Sequence, residues 1–228
     1  MKLSISTTRR ETLWGWAYWL ISLFVLPTVL TLILVLLEQP VSDSTLNLVY
    51  FIVNFLAVIG IFHRFLWESL KAAAKKPWTC FGIALLGLVA YFAATAVVSF
   101  LISVIKPNFS NVNDDAIFDM MDENTGFLVF ATIFFAPITE EALYRGLVFQ
   151  SLYRKNPDIG YVVSVLVFAT VHVVGYIGLF DPVTLILCFV QYLPAGIILA
   201  AAYEKTDTII TPILIHIFIN LIGIFVAR

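Results

Sequence analysis

The sequence has little charge. Only 12% of its 228 residues are Asp, Glu, Lys or Arg, whereas 61% are hydrophobic and the mean hydropathy is +0.98. A soluble domain is about half apolar and about a quarter charged. The composition therefore argues against an ordinary soluble domain and predicts an integral membrane protein that has the lipid bilayer as its surroundings.

The sequence also has no excess of basic over acidic residues, and it has little cysteine. The 13 basic residues are balanced by 15 acidic ones, so nothing attracts the chain to nucleic acid, and no nucleic-acid partner is expected. Only Cys80 and Cys188 occur, which excludes a disulfide framework and a cysteine-rich zinc site. Both are expected to be packing residues.

What the chain does have is long apolar runs. A membrane-spanning helix needs about 20 apolar residues, and on that scale seven candidate spans occur. We therefore expect an all-α fold, a polytopic membrane helical bundle with about seven transmembrane helices in one domain, residues 1–228, with three N-terminal spans in 13–105 and a four-span core in 127–227. The candidate spans are 13–37, 46–66, 79–105, 127–152, 159–179, 183–202 and 208–227.

The loop charges predict the orientation. Basic residues accumulate in cytoplasmic loops, and ten of the thirteen lie in alternate loops, which places the N-terminus in the cytoplasm. Lys106 and Arg228 fall on the other side, and Arg145 falls within a span. The ten are Lys2, Arg9, Arg10, Arg64, Lys71, Lys75, Lys76, Arg154, Lys155 and Lys205.

One outer connection, 106–125, is long and acidic. It carries five carboxylates with apolar residues between them. A solvated loop is the favoured interpretation, and a short amphipathic segment lying on the outer face is the alternative.

Three ionisable residues, Glu140, Glu141 and Arg145, lie inside the fourth apolar run. A charged side chain in mid-membrane costs roughly 2.5–3.5 kcal/mol, so such residues usually face a polar interior and mark a functional site. Glu141 and Arg145 are separated by four residues and are expected to form an ion pair on one helix face. Pro137 is expected to loosen the turn before them and to free backbone groups there.

Helix rise suggests partners for the unpaired Glu140. At about 1.5 Å per residue, Glu140 and His172 each lie about 20 Å from the cytoplasmic side, and His216 and Asn220 lie about 12 and 18 Å from it. His216 and Asn220 also share a helix face. A lone membrane histidine is more often an interhelical hydrogen-bonding residue, the interpretation we give to His63, and a Glu–Arg pair alone could be structural. The shared depth of the four residues favours a functional cavity.

These residues form three motifs: Glu140-Glu141-x-x-x-Arg145, Phe168-x-x-x-His172 and His216-x-x-x-Asn220. In this respect the chain resembles the CPBP intramembrane proteases, also known as the CaaX-protease and bacteriocin-processing or Abi family. The resemblance covers the chain from about residue 127 onward. It implies an intramembrane endopeptidase with a peptide or protein substrate at the membrane, either of the CaaX type, which removes the last three residues of prenylated proteins, or one that processes peptides or bacteriocins. The compact length favours a prokaryotic plasma membrane, and the depths favour a site open toward the cytoplasmic side.

The resemblance also implies roles. Glu140 would be the general base and His172 would share the activated water. His216 and Asn220 would donate hydrogen bonds to the oxyanion, and Glu141 and Arg145 would support the site or anchor a peptide terminus. A metal-free scheme is favoured, with zinc left open because Glu140, His172 and His216 have the composition of a catalytic zinc triad.

Two other functions remain as alternatives. A non-catalytic bacteriocin-immunity or scaffold membrane protein would use the same cavity to bind a peptide. An ion-coupled transporter would use the membrane carboxylate and imidazoles as a proton relay, although no repeat symmetry supports it.

Overall fold

A computed structural model describes the backbone of residues 3–39, 41–123 and 125–226, with all side chains in these ranges except those of 121–123 and 125. Lys2 and Arg228 of the loop-charge pattern, residue 227 of the last predicted span and the side chains of Asp122 and Glu123 lie outside this description. The described part is helical and has no β-strand. Its helices are α1 Arg9–Phe24, α2 Leu26–Leu36, α3 Asp43–Lys75, α4 Pro77–Ile105, α5 Val112–Glu123, α6 Gly126–Tyr153, α7 Pro157–Val171, α8 Pro182–Thr206 and α9 Ile210–Val226.

The structure confirms the predicted all-helical fold and the presence of several helices that could span a membrane. Within the described residues, α3, α4, α6 and α8 are long and apolar enough to cross a membrane, and α1 with α2 makes up to five candidates if the bent pair is one span. α7 and α9 are apolar but shorter. The total of seven spans and the cytoplasmic N-terminus remain predictions.

The boundaries of two expected spans were wrong. The first, 13–37, is divided at Val25 into α1 and α2, which are bent by 59°. Pro27 stands at the start of α2, where its ring fits the first turn but cannot continue the preceding helix. The fifth, 159–179, ends early because α7 stops at Val171 and a 3₁₀ turn, Val174–Tyr176, follows.

The favoured interpretation of the outer connection as a solvated loop was also wrong. Residues Val112–Glu123 form α5. Ile117, Phe118 and Met120 pack against a small core that includes Leu128 and Ile224. The apolar residues between the carboxylates thus give α5 one face that covers the ends of other helices.

The main core lies toward the opposite end of the bundle. It includes Phe62, Phe65, Leu147, Phe149 and Tyr203. α6 and α7 cross closely there: a Cβ on Gly160 would come within 2.7 Å of the Tyr153 backbone. Only glycine allows this approach.

The N-terminal segment closes the same end. Leu3 is buried, and the Ser4 N–H donates to Asp207 Oδ1 at 2.9 Å. The Thr7 N–H donates to Gln150 Oε1 at 2.9 Å, while Gln150 Nε2 donates to the Ile5 carbonyl at 2.8 Å. We call this region the closed end, and we call the region beside α5 the α5 end.

Candidate active site

The glutamate pair lies in an irregular part of α6. The short α-helical segment Ala136–Glu141 is flanked by π-helical segments, Ala131–Phe135 and Ala142–Phe149. π-Helical turns are rare and are frequent at functional sites. Residues within α6 are therefore displaced from the regular helical positions that sequence spacing assumes.

Pro137 explains how Asn220 is anchored. The Ala136 N–H bonds to the Ala131 carbonyl, five residues back. The next bond of that pattern would run from residue 137 to the Thr132 carbonyl, but proline has no N–H. Asn220 Nδ2 donates to the Thr132 carbonyl instead, at 2.9 Å. As predicted, the proline frees a backbone group beside the charges, and a side chain from α9 occupies it.

Glu141 is the centre of a buried polar group. Its Oε1 accepts from Arg145 Nη1 at 2.9 Å, so the predicted ion pair is present, with both side chains fully buried. The same Oε1 lies 2.8 Å from His216 Nδ1. Arg145 also donates to the Gly196 carbonyl at 3.3 Å and lies over the ring of Phe168. Glu141 thus links α6 to α9, and Arg145 links α6 to α8.

Glu140 faces the two histidines. Its Oε2 lies 3.6 Å from His172 Nε2 and 3.9 Å from His216 Nε2. The structure describes no hydrogen-bond partner for this buried oxygen. The carboxylate and both Nε2 atoms therefore converge on one small volume, and the juxtaposition expected from depth is present.

The other ring nitrogens fix the histidine tautomers. His172 Nδ1 lies 2.7 Å from the Phe168 carbonyl, which can only accept, so this nitrogen carries a proton. His216 Nδ1 faces the Glu141 carboxylate, which likewise favours a proton on that nitrogen. In neutral rings, each Nε2 then presents a lone pair to the space beside Glu140, and a protonated ring presents an N–H there.

Tyr192, on α8, was not among the residues predicted from the sequence. Its ring stacks on His172 at 4.3 Å between ring centroids and 27° between planes. Its hydroxyl donates to Asp114 Oδ1 at 3.0 Å and accepts from Asn113 Nδ2 at 2.9 Å. The only sequence signal was a polar Gln191-Tyr192 pair within an apolar run. Through Tyr192, α5 contacts the residue that faces Glu140.

A cavity of about 530 Å³ contains this site. Its lining comes from the parts of the helices nearer the α5 end and from α5 itself, and on α6 it extends as far as Tyr144. The loop charges predict that the α5 end lies on the outer side of the membrane, and this prediction disagrees with the expected cytoplasmic opening; both remain predictions. Among the described residues, the lining includes no Lys or Arg; its polar members include Asn47, Asn54, Asn111, Asn113, Asp114, Glu140, His172, Gln191, Tyr192, His216 and Asn220.

The residues suggested for zinc are slightly too far apart for a tetrahedral site as placed. Zinc bonds of about 2.0–2.2 Å put neighbouring ligand atoms about 3.3–3.6 Å apart; the Glu140–His172 separation of 3.6 Å is at the edge of this range and the Glu140–His216 separation of 3.9 Å exceeds it. No group of three or more His, Cys, Asp or Glu side chains in the described part of the chain is arranged to hold a metal ion. The zinc hypothesis rests on residue type alone and remains a prediction.

Of the six predicted site residues, Glu140, His172, His216 and Asn220 line the cavity. Glu141 and Arg145 lie behind it. Because Arg145 is fully buried and its described hydrogen bonds go to Glu141 and Gly196, it is not placed to anchor a peptide terminus. His63 is exposed and its described hydrogen-bonding contact is with the Gly60 carbonyl of its own helix, so the expectation of an interhelical hydrogen bond was wrong. Both cysteines are buried, as expected.

The fold and the site define a class: a helical membrane protein with a carboxylate and two imidazoles converging in a cavity among its apolar helices. Residues 122–222, which carry all three motifs, match the family model described as type II CAAX prenyl endopeptidase Rce1-like. The segment that holds the site is therefore similar to this family of peptidases, which confirms the resemblance found in the motifs. Comparisons with curated proteins and with solved structures give no significant match.

Proposed function

We propose that the protein is an intramembrane endopeptidase that hydrolyses peptide bonds of membrane-associated peptides or proteins with water activated by Glu140. The observation that carries this proposal is the buried Oε2 of Glu140, without a described hydrogen-bond partner and 3.6 and 3.9 Å from two histidines. A structural carboxylate at this depth is expected to be paired with a cation, as Glu141 is with Arg145, whereas Glu140 faces two imidazoles across the cavity.

In the proposed reaction, water occupies the volume between Glu140 and His172. The Glu140 carboxylate takes one proton as the water oxygen attacks the carbonyl carbon. The lone pair of neutral His172 Nε2 accepts the second hydrogen of the water and orients it. Glu140 then returns its proton to the amide nitrogen, the C–N bond breaks, and an acid and an amine leave.

The carbonyl oxygen becomes negative in this step and needs donors. Asn220 uses one N–H on the Thr132 carbonyl and has a second to offer. His216, whose Nδ1 lies 2.8 Å from the Glu141 carboxylate, can donate from Nε2 when its ring is protonated. Removing one such donor typically lowers the rate by about 10²–10³-fold. No step of this scheme passes through a metal.

We further propose seven spans with a cytoplasmic N-terminus in a prokaryotic plasma membrane. Each predicted apolar run has its own helix or helix pair in the described residues, and the loop charges alternate accordingly. α7 would span with the help of the segment that follows it, and α9 by local thinning of the bilayer.

The experiment is cleavage of a library of membrane-anchored peptides by purified protein. Glu140→Ala, His172→Ala and His216→Ala should each abolish cleavage, and Glu68→Ala, exposed on α3 far from the cavity, is the matched control. Full turnover by a folded Glu140→Ala protein would refute the proposal. Protection of cells from a bacteriocin that survives Glu140→Gln would favour the non-catalytic immunity function instead.

A further inference from the structure

The cavity extends from Glu140 toward one end of the helical bundle. Its lining residues on α3, Asn47 to Asn54, lie in the first half of that helix, and those on α8, Gln191 to Ala195, lie near the middle. On α9 the lining runs from His216 toward the helix end. All of these parts lie toward the α5 end, so the cavity runs from Glu140 toward that end.

The closed end is tightly packed. Glu204 accepts hydrogen bonds from the hydroxyls of Tyr153 and Tyr161. Gln150, which is buried, joins the N-terminal segment to Tyr203. Glu11 Oε1 accepts the Phe65 N–H at 2.9 Å beside the helix break at Phe62. A substrate arriving from this side would have to break several buried contacts.

The acidic residues in the described lining of the cavity outnumber its Lys and Arg residues. Asp114 and Glu140 are its carboxylates, and none of its described lining residues is Lys or Arg. The nearest buried cation, Arg145, is bound to Glu141 behind the wall. A cleft lined by one sign of charge concentrates ions of the opposite sign. A peptide tail that ends in a carboxylate would therefore bring a negative charge close to Asp114 and Glu140, in a cavity whose described lining has no Lys or Arg.

We propose that the site takes an internal, neutral or cationic peptide segment that enters from the α5 end, on the extracytoplasmic side of the membrane. This inference rests on the proposed function and specifies its substrate class. It disfavours removal of a short carboxylate-ended tail from a cytoplasmic protein. Entry passes α5, whose Asn113 and Asp114 side chains bind Tyr192 above His172.

Thiol labelling tests the direction and the charge without any turnover. Gly223 lines the cavity, and a Cβ there meets no atom within 4 Å, so Gly223→Cys is expected to fold. Asn108→Cys, exposed beside α5, and Lys155→Cys, exposed at the closed end, are the controls. The wild type is the background, because Cys80 and Cys188 are buried.

With membrane-impermeant reagents and right-side-out vesicles, the cysteines at 223 and 108 should react from outside and the one at 155 only after the vesicles are opened. At pH 8, each cysteine is modified with a cationic and with an anionic methanethiosulfonate reagent, and the ratio of the two rates is measured. This ratio should be about tenfold higher at 223 than at 108. Two results would overturn the inference. One is that the cysteine at 223, like the one at 155, reacts only after the vesicles are opened. The other is that its ratio of cationic to anionic reaction rates is no higher than the ratio at 108.

The substrate class has its own measurement. One peptide library is prepared with free carboxyl ends and again with amidated ends, and the amidated form should be cleaved faster. Preference for the free carboxylate would overturn the inference while leaving the hydrolytic function intact. If neither form is cleaved, the proposed function fails, and the labelling still decides the direction and charge of the cavity.

Discussion

Glu140 and Glu141 are adjacent in the chain, yet their surroundings differ. The Glu141 carboxylate contacts Arg145 and His216 and has no exposed surface, whereas Glu140 is about a quarter exposed to the cavity and faces two imidazoles. Helix geometry turns neighbouring side chains about 100° apart. One carboxylate is therefore placed to hold the site together and the other to react.

Substituting each glutamate in turn should separate stability from catalysis. Glu141→Gln leaves the fully buried Arg145 without its counter-charge, and breaking a buried pair costs about 3–5 kcal/mol. We expect a clear loss of thermal stability in detergent. Glu140→Gln should lose activity without this loss of stability. Equal thermal stability of the two variants would contradict the division of roles.

Tyr192 should act as a positioning residue for His172. Tyr192→Phe keeps the ring stacked on His172 but loses the bonds to α5, so kcat should change little while KM changes. Tyr192→Leu removes the stacked ring, and kcat should fall by up to about 10²-fold because the imidazole is no longer held in place. Steady-state kinetics with a pH–rate profile measure this, and equal kcat values in both variants would count against the assignment.

At the scale of helices, the irregularity of α6 is what brings Asn220 to the site. Pro137→Ala restores an N–H that can compete for the Thr132 carbonyl, so Asn220 should lose its anchor and activity should fall about tenfold. In an Asn220→Ala background the same substitution should have no further effect, since the coupled residue is absent. Additive effects in this double-mutant cycle would show that Pro137 acts elsewhere.

The start of α8 provides a test by pH. Asp181 caps this helix, and hydrogen bonds from Thr184 and Lys106 hold the pKa of its carboxyl well below its ordinary value. A lowered pKa in the folded protein means that Asp181 stabilises fully above the unfolded pKa of about 3.9. That stabilisation is lost as pH falls from about 5 toward the folded pKa.

Asp181→Asn keeps a side chain that caps helices well but removes the charge. Its deficit in thermal stability relative to the wild type should therefore be present at pH 6 and shrink as the pH approaches 3. A deficit that is independent of pH would show that the charge of Asp181 contributes nothing.

At the scale of the whole molecule, hydropathy predicted each of the apolar helices or helix pairs but not α5, because burial in lipid requires long apolar stretches whatever the packing. Depth along straight helices was enough to bring Glu140, His172 and His216 together. The contact of His216 with Glu141, the position of Arg145 behind the cavity and the stacking of Tyr192 could not be predicted, since they depend on π-helical turns and on helix rotation. α5 was misjudged because five carboxylates obscured its apolar face.

The central claim is that the Glu140 carboxylate activates water for peptide hydrolysis. The most direct measurement is peptide cleavage by purified protein after exhaustive metal removal, in parallel with Glu140→Gln. The metal-depleted wild type should retain its turnover, and Glu140→Gln should lose at least about 10³-fold, a loss typical of removing the general base. Equal turnover by the wild type and Glu140→Gln, or activity that disappears with the metal and returns on adding zinc, would contradict this account.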